Sequence, residues 1–250
     1  MPEGREAGIC GLVFALEIET RGLRRVLAHS QRVPASDPRH CAWRVGGVRV
    51  VTDVGGMGRE RAREAANRLI DRGAKWIACA GFAVALDEKA RAGDVVVADS
   101  VALLGSNDSA LPCAASLLAA TPPSGRLGYS VWRSDFVTCD SMVLRASAKR
   151  DIREKTGVAA LDMESHAVGH VCAARGVPFV VVKGISDTVD DDLPDEVDAL
   201  ARASGWTEHL SLLLRCPRVW PQLWGLRRRA LTASDNLGDV LGMMLLRLFG

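Results

Sequence analysis

The chain has 250 residues, 48% of them hydrophobic, and 32 basic against 30 acidic side chains leave a formal charge of only +2, which suits one α/β domain with or without an appendage and argues against nucleic acid as a partner. The seven cysteines are scattered without a C-x-x-C pair, which argues against a zinc ribbon. No apolar run of about 18 residues predicts a membrane span, nothing at the N-terminus reads as a signal peptide, and a reducing cytoplasm is the expected compartment.

Ile9 to Leu16 (ICGLVFAL) reads as a first strand, followed by a helical pattern from Glu19 to about Ala28. Trp43 to Asp53 reads as a hairpin turned at Gly46-Gly47. GGMG, Gly55 to Gly58, precedes a helix from Arg59 to Arg72 that Gly73 stops. WIACAGF is a strand running into small residues, GDVVVAD (Gly93 to Asp99) is another, and TPPSG (Thr121 to Gly125) is a loop. A helix over about Arg145 to Thr156 ends at Gly157, and a short strand, Val158 to Leu161, enters DMES. A further helix runs to Arg175 with Gly176 as its stop, and PFVVV, from Pro178, reads as a strand buried on both faces. Strands alternating with helices predict an α/β fold, a three-layer α/β/α sandwich around a twisted, mixed and mostly parallel sheet. DDDLPDEVD, from Asp190, reads as an acidic loop. From Trp206 the chain is rich in Leu, Trp and Arg and reads as helical to its end. The expected division is a catalytic domain over 1–205 and a helical C-terminal extension over 206–250.

Carboxylates follow three of the strands: Glu17 and Glu19 after the first, Asp162 and Glu164 after VAAL, and Asp187 after VVVKGIS. In open α/β sheets ligands bind at the carboxyl ends of the strands, so three such sites on one rim would make a place for acid–base chemistry. The plainer alternative is helix capping, by Asp162 for the helix near Met163 and by Asp187 for the next segment.

DMESHAVGHVCAARGVPFVVVKGISD resembles the signature of the nucleoside phosphorylase superfamily, on its 5'-methylthioadenosine/S-adenosylhomocysteine nucleosidase side. The resemblance extends to GLVFALEIET, GMGRERA and GDVVVAD, and covers about residues 8–190. It implies an enzyme that breaks the N-glycosidic bond of an adenosine. Asp187 would be the general acid toward N7 of the base, with Ser186 fixing its carboxylate. Glu164 would hold the ribose hydroxyls, Met163 would line the sugar, and Glu19 would orient or deprotonate the attacking water. TCDSMV, Thr138 to Val143, matches the base-carrying segment: the backbone of Val143 would read the adenine edge, and Met142 stands where an aromatic ring usually stacks. Gly81, heading GFAVAL, belongs with the substrate-binding positions. The resemblance implies no cofactor and no metal, a nucleoside substrate and a homodimer.

Two departures bear on the acceptor and the substrate. GFAVAL carries Val84 and Ala85 where paired glycines are usual, and Cys79 and Phe82 stand nearest to the family's phosphate ligands. The turn with Gly56 and Gly58, followed by Arg59, is the remaining candidate for phosphate, with a simple turn before a helix as the alternative. Phosphate and water both stay open as acceptors, with water favoured. The tail, LLLRCPRVWPQLWGLRRRALTASDNLGDVLGMMLLRLFG, resembles the ending of the hopanoid-associated branch, which implies adenosylhopane as substrate. Trp220, Trp224 and the arginines suit a membrane surface, whereas Leu237, Val240, Leu241, Met244, Leu245 and Leu248 form a helical face that suits either a bilayer or the protein's own core. The alternatives are an ordinary methylthioadenosine/adenosylhomocysteine nucleosidase and a silent nucleoside-binding protein. His166 and His170 have metal-binding spacing but lack the H-E-x-x-H glutamate. Asp190 to Asp192 read as a solvated loop rather than a cation site, and Cys139 as packing rather than a nucleophile.

Overall fold

The computed structural model describes residues 8–34, 40–124, 127–194 and 220–250. Among the described residues, ten strands and six α-helices alternate along the chain. The first half holds β1 (Ile9–Phe14), α1 (Arg21–Val26), β2 (Gln31–Val33), β3 (His40–Val45), β4 (Val48–Val54), α2 (Arg59–Asp71) and β5 (Ala74–Ala85). The second holds β6 (Val95–Leu103), β7 (Leu111–Pro112), α3 (Ala115–Leu118), β8 (Val131–Thr138), α4 (Ala146–Thr156), β9 (Ala160–Asp162), α5 (Ser165–Arg175), β10 (Phe179–Asp187) and α6 (Trp220–Phe249). The expected strands, the hairpin and the glycine helix stops are present. Gly157 and Gly176 both adopt the left-handed conformation that ends a helix. The expected first helix begins as a 3-10 turn, Glu17–Thr20, before α1.

The mixed sheet is organised by β5, twelve residues long. Its first half runs parallel to β1, and its second half pairs antiparallel with β9 on the same edge. On the other edge β10 runs parallel to it. β10 pairs antiparallel with β6, β6 pairs with β8, and β8 pairs with β9. The order β5-β10-β6-β8-β9 therefore closes on itself as a ring, with β1, β4, β3 and β2 fanning from one side. Closure demands local bending. A register shift between Ile185 and Asp187 supplies it in β10, and one between Ala98 and Val101 in β6. β8, VWRSDFVT, is not marked by an apolar run, because its central residues face outward; pairing with β6 and β9 holds it as a strand.

The apolar face of the last helix is decided in favour of packing. Leu237, Val240, Leu241, Met244 and Leu245 are buried in the main core, and Leu248 packs against it. What the period alone does not announce is how closely α6 crosses α1. A Cβ on Gly22 would lie 1.9 Å from the carbonyl oxygen of Ser234, and one on Gly238 would lie 2.0 Å from the carbonyl carbon of Gly22. Ser234 Oγ accepts the Gly22 N–H at 3.2 Å and donates to the Ile18 carbonyl at 2.8 Å. Small residues four apart, Ser234, Gly238 and Gly242, let the two backbones meet. On β10, Gly184 leaves room for the Ala233 carbonyl, 2.7 Å from where its Cβ would stand. Of the Trp- and Arg-rich segment, Arg215 and Arg218 lie outside the described residues while Arg227, Arg228 and Arg229 are on α6, and none of the described helices is long and apolar enough to cross a membrane.

This crossing predicts that Gly238→Val lowers unfolding stability by about 1–3 kcal/mol, the usual cost of overpacking. Gly225→Ala, where nothing lies within 4 Å of the added carbon, should be neutral or stabilising by up to about 1 kcal/mol. Urea denaturation of both variants checks this, and equal effects would remove the tight crossing.

Candidate active site

β1, β9 and β10 each deliver a carboxylate to one pocket. Glu19 stands in the 3-10 turn after β1, Glu164 just beyond β9, and Asp187 at the end of β10, where the register shift re-aims the strand. The pocket holds about 350 Å³, and all three acids line it, together with Met142, Val143, Met163 and Ser186. All three are buried: 4% of Glu19, 7% of Glu164 and 3% of Asp187 is exposed. Carboxyls held so far from water need donors, and each has them.

Glu19 Oε2 accepts the N–H groups of Ala15 and Leu16, both at 2.8 Å, and Oε1 accepts that of Phe82 at 2.9 Å. The approach is open because residue 81 is glycine: at φ +144°, its Cβ would stand 2.7 Å from Oε1. Burial pushes the Glu19 carboxyl up to about 7, with Glu164 adding to the rise, against the opposing pull of Lys183 and the Leu16 and Phe82 N–H groups.

Lys183 is the counter-charge. Its ammonium, 1% exposed in the middle of β10, stands 2.9 Å from Asp162 Oδ2 and 3.6 Å from Glu164 Oε2. Burial alone would push it down; Asp162, with Glu164 and Glu19, outweighs burial and holds it well above the ordinary lysine value, as a cation. Glu164 Oε1 accepts the Gly58 N–H at 2.9 Å, and burial raises its carboxyl, with Lys183 opposing and Asp162 adding. Asp162 also accepts from Thr138 Oγ1 at 2.8 Å and from the Ser165 N–H at the start of α5. It thus serves the capping role and the charge network together.

Asp187 does not cap a helix. Its Oδ2 accepts from the buried Lys149 ammonium at 2.8 Å and its Oδ1 from Ser186 Oγ at 2.8 Å. The acidic loop beyond it is partnered rather than merely solvated. Asp190 pairs with Arg150, Asp191 with Arg229 at 2.8 Å, and Asp192 Oδ1 accepts the Ala146 N–H at 2.7 Å at the head of α4.

The glycine turn lies beside the pocket, with Gly58 and Arg59 lining an adjoining cleft around Met57 and Asp140. Gly58 spends its N–H on Glu164, Arg59 pairs with Asp140 at 2.6 Å, and Gly56 takes φ +100° in the turn. Phe82 and Val84 line the pocket, and burial pushes the Cys79 and Cys139 thiols up to about 12. Lys149, Lys183 and Met57 carry no motif. A lysine in the middle of an apolar strand was the one available signal, because an ammonium there requires acidic partners. Leu226, Arg227 and Ala230, from the first turns of α6, complete one wall. Among the described residues no cluster of three or more His, Cys, Asp or Glu could hold a metal ion.

A family model described as "Phosphorylase superfamily" matches residues 25–211. A 5'-methylthioadenosine/S-adenosylhomocysteine nucleosidase of Shewanella oneidensis is 24% identical over 233 residues, 84% of this chain and 97% of the relative. One of Mycobacterium bovis is 24% identical over 220 residues, 73% of this chain and 86% of the relative. Among solved structures, the Neisseria meningitidis nucleosidase in complex with methylthio-immucillin-A superposes with a TM-score of 0.74 at 20% identity, covering 96% of this chain and 100% of the other. A futalosine hydrolase of Helicobacter pylori superposes with a TM-score of 0.68 at 16% identity, covering 94% and 98%.

The Glu19 environment predicts a carbon-13 carboxyl titration with its inflection near 7 rather than at the ordinary 4.5. Between those values the folded protein keeps a proton that the unfolded chain has released. Stability contributed by this group therefore falls as pH rises across that window. An inflection below 5 would contradict the balance of burial over hydrogen bonding.

Proposed function

The chain belongs to the phosphorylase superfamily, and from that membership and the geometry of the site we propose that it cleaves the N-glycosidic bond of a 5'-substituted adenosine with water, releasing adenine. The observation that carries this reading is the convergence of Glu19, Glu164 and Asp187 on one buried pocket of about 350 Å³. The nucleosidases of Shewanella and Mycobacterium support it as relatives over most of the chain.

The bond between the sugar carbon and the base nitrogen breaks through an oxocarbenium-like state, as in other glycoside cleavages. Asp187 gives its proton to N7, so that adenine leaves neutral, and Ser186 keeps the carboxyl in place. Glu164, fixed by Gly58 and Lys183, accepts hydrogen bonds from the ribose hydroxyls. Met163 packs against the sugar, Met142 packs on the purine, and the backbone of Val143 meets the adenine edge. Glu19 takes the proton of the attacking water, which becomes the new hydroxyl on the sugar carbon. A base that is half ionised near pH 7 is matched to that task.

Water is favoured over phosphate by charge. The acids lining the pocket surround the sugar position, and the one cation lining it among the described residues is Arg227 on the α6 side. The Gly58 N–H and the Arg59 guanidinium are already engaged. A dianion would meet two or three carboxyls, with Arg227 on the α6 side as the one lining cation among the described residues to offset them.

The wall made by α6 favours a narrower reading of the 5' group. Leu16, Ile18, Leu193, Leu226 and Ala230 give this side an apolar lining. Next to it on the surface, Trp224 is 67% exposed with the Arg227 guanidinium 5.9 Å from its ring centre. A hydrocarbon-rich nucleoside such as adenosylhopane fits that exit, as does the small thioether of methylthioadenosine.

Asp187→Asn should leave the fold intact and lower adenine release by about three orders of magnitude, the combined loss of acid catalysis and leaving-group activation. Adenine release from methylthioadenosine, adenosylhomocysteine and adenosylhopane in detergent, assayed in parallel, ranks the 5' groups. Near-normal turnover by the variant would remove Asp187 from the mechanism, and turnover of the thioethers alone would remove the lipid-tailed substrate.

A further inference from the structure

We propose that Lys149 and Arg229 are positioning residues for proton delivery by Asp187, so that the C-terminal helix holds the acid in register through a short relay of charges. The inference rests on the reading of Asp187 as the general acid.

Lys149, on α4, is fully buried, and its ammonium has three N–H donors. All three are used: on Asp187 Oδ2 at 2.8 Å, on the Thr188 carbonyl at 2.9 Å and on the Asp191 carbonyl at 2.8 Å. No donor is left for a ligand, so the role of Lys149 is to fix Asp187. It holds Oδ2 as an acceptor, and that assigns the transferable proton to Oδ1. Oδ1 meets Ser186 Oγ at 2.8 Å, and this hydroxyl has a second acceptor in the Ala83 carbonyl at 3.5 Å. The hydroxyl can therefore turn away when Oδ1 carries a proton and turn back when the proton has gone. The carboxyl changes charge without changing place.

The turn that grips Lys149 is itself gripped from α6. Asp191 Oδ2 accepts from the Thr188 N–H at 2.8 Å and from its hydroxyl at 2.9 Å, which closes the turn. Asp191 Oδ1 accepts from Arg229 of α6 at 2.8 Å. Burial alone would raise the Asp191 carboxyl, but the Thr188 bonds and Arg229 outweigh it and keep it below its ordinary range, so the strut stays ionised. The same loop reaches the head of α4 through Asp192. A displacement of α6 relative to β10 is thus passed to the acid through Arg229, Asp191 and Lys149, none of which lines the pocket. Arg229 is 35% exposed at its side chain, so its removal is a mild perturbation of the fold, whereas Lys149 has no exposed surface to spare.

The experiment measures kcat and KM for adenine release from methylthioadenosine by the full chain and by Arg229→Met, Arg229→Lys, Lys149→Met and Lys149→Arg, with the melting temperature of each. The expected result for Arg229→Met is roughly a tenfold loss in kcat, the scale of a small misplacement of a reacting group, with KM within about twofold and Arg229→Lys recovering most of the loss. Lys149→Met should lose about a hundredfold, again in kcat. Unchanged kcat in Arg229→Met, or a loss that falls equally on KM and is not recovered by lysine, overturns the inference while leaving Asp187 as the acid. Absence of adenine release by the wild-type chain from methylthioadenosine, adenosylhomocysteine and adenosylhopane alike overturns the parent reading and this inference with it; where only another of the three is turned over, the variants are assayed on that one.

Discussion

One buried ammonium holds the site together. Lys183 occupies the centre of β10 opposite Gly81 of β5, and around it stand Asp162, Glu164 and Glu19. A lone lysine there would be costly, and so would any of the three acids. Together they are tolerable, but the sum is uneven: three carboxyls share one positive charge. The surplus is what makes the pocket chemically useful. Burial raises the affinity of Glu19 for a proton, with Glu164 adding to the rise, and in the proposed reaction the surplus disfavours an anionic acceptor and favours a sugar carbon that turns positive as its bond to the base breaks. Replacing Lys183 by a neutral residue would leave the acids uncompensated, a loss on the order of 3–5 kcal/mol in comparable buried pairs.

The architecture serves this charge arrangement. Closing β5, β10, β6, β8 and β9 into a ring brings the ends of β9 and β10 to the same mouth, and the shift in register after Ile185 turns Asp187 into it. β1 runs alongside β5 and ends where its following turn can press Glu19 onto the bare backbone at Gly81. The C-terminal helix works at both ends of this structure. Its small residues let it lie against α1 and over Gly184, its apolar face completes the core, and its first turns supply one wall of the pocket. Its tail-like composition is the outcome of these several contacts, since the same helix carries core leucines, crossing glycines and the pocket-lining Arg227.

Much of this was legible in the sequence because the relevant signals are local. Apolar runs bounded by glycine mark β5 and β10, glycine stops mark the ends of α4 and α5, and the carboxylates at strand ends mark the rim. The resemblance of DMES and ISD to a known signature attached roles to them. Less legible were features that depend on two distant segments meeting. Lys149 and Asp187 are 38 residues apart, and Gly58 and Glu164 are 106 apart, so neither pairing leaves a spacing to read. The triple aspartate looks like a solvated run until Arg150, Arg229 and the N-terminus of α4 are placed around it. The strand β8 hides because its outward-facing residues break the apolar pattern, and the glycines of α6 look like helix breakers until α1 is laid across them. The lysine inside VVVKG was the exception, a nonlocal feature announced by a local contradiction.

The measurement that tests the central claim most directly is product identification in phosphate buffer. Purified protein is incubated with methylthioadenosine, and the sugar product is analysed by mass spectrometry together with free adenine. A carboxyl-rich pocket that uses water predicts adenine and the free thioribose in equal amounts, with no dependence on phosphate concentration. A sugar 1-phosphate, or a rate that rises with added phosphate, would contradict the account by requiring a dianion to sit among Glu19, Glu164 and Asp162.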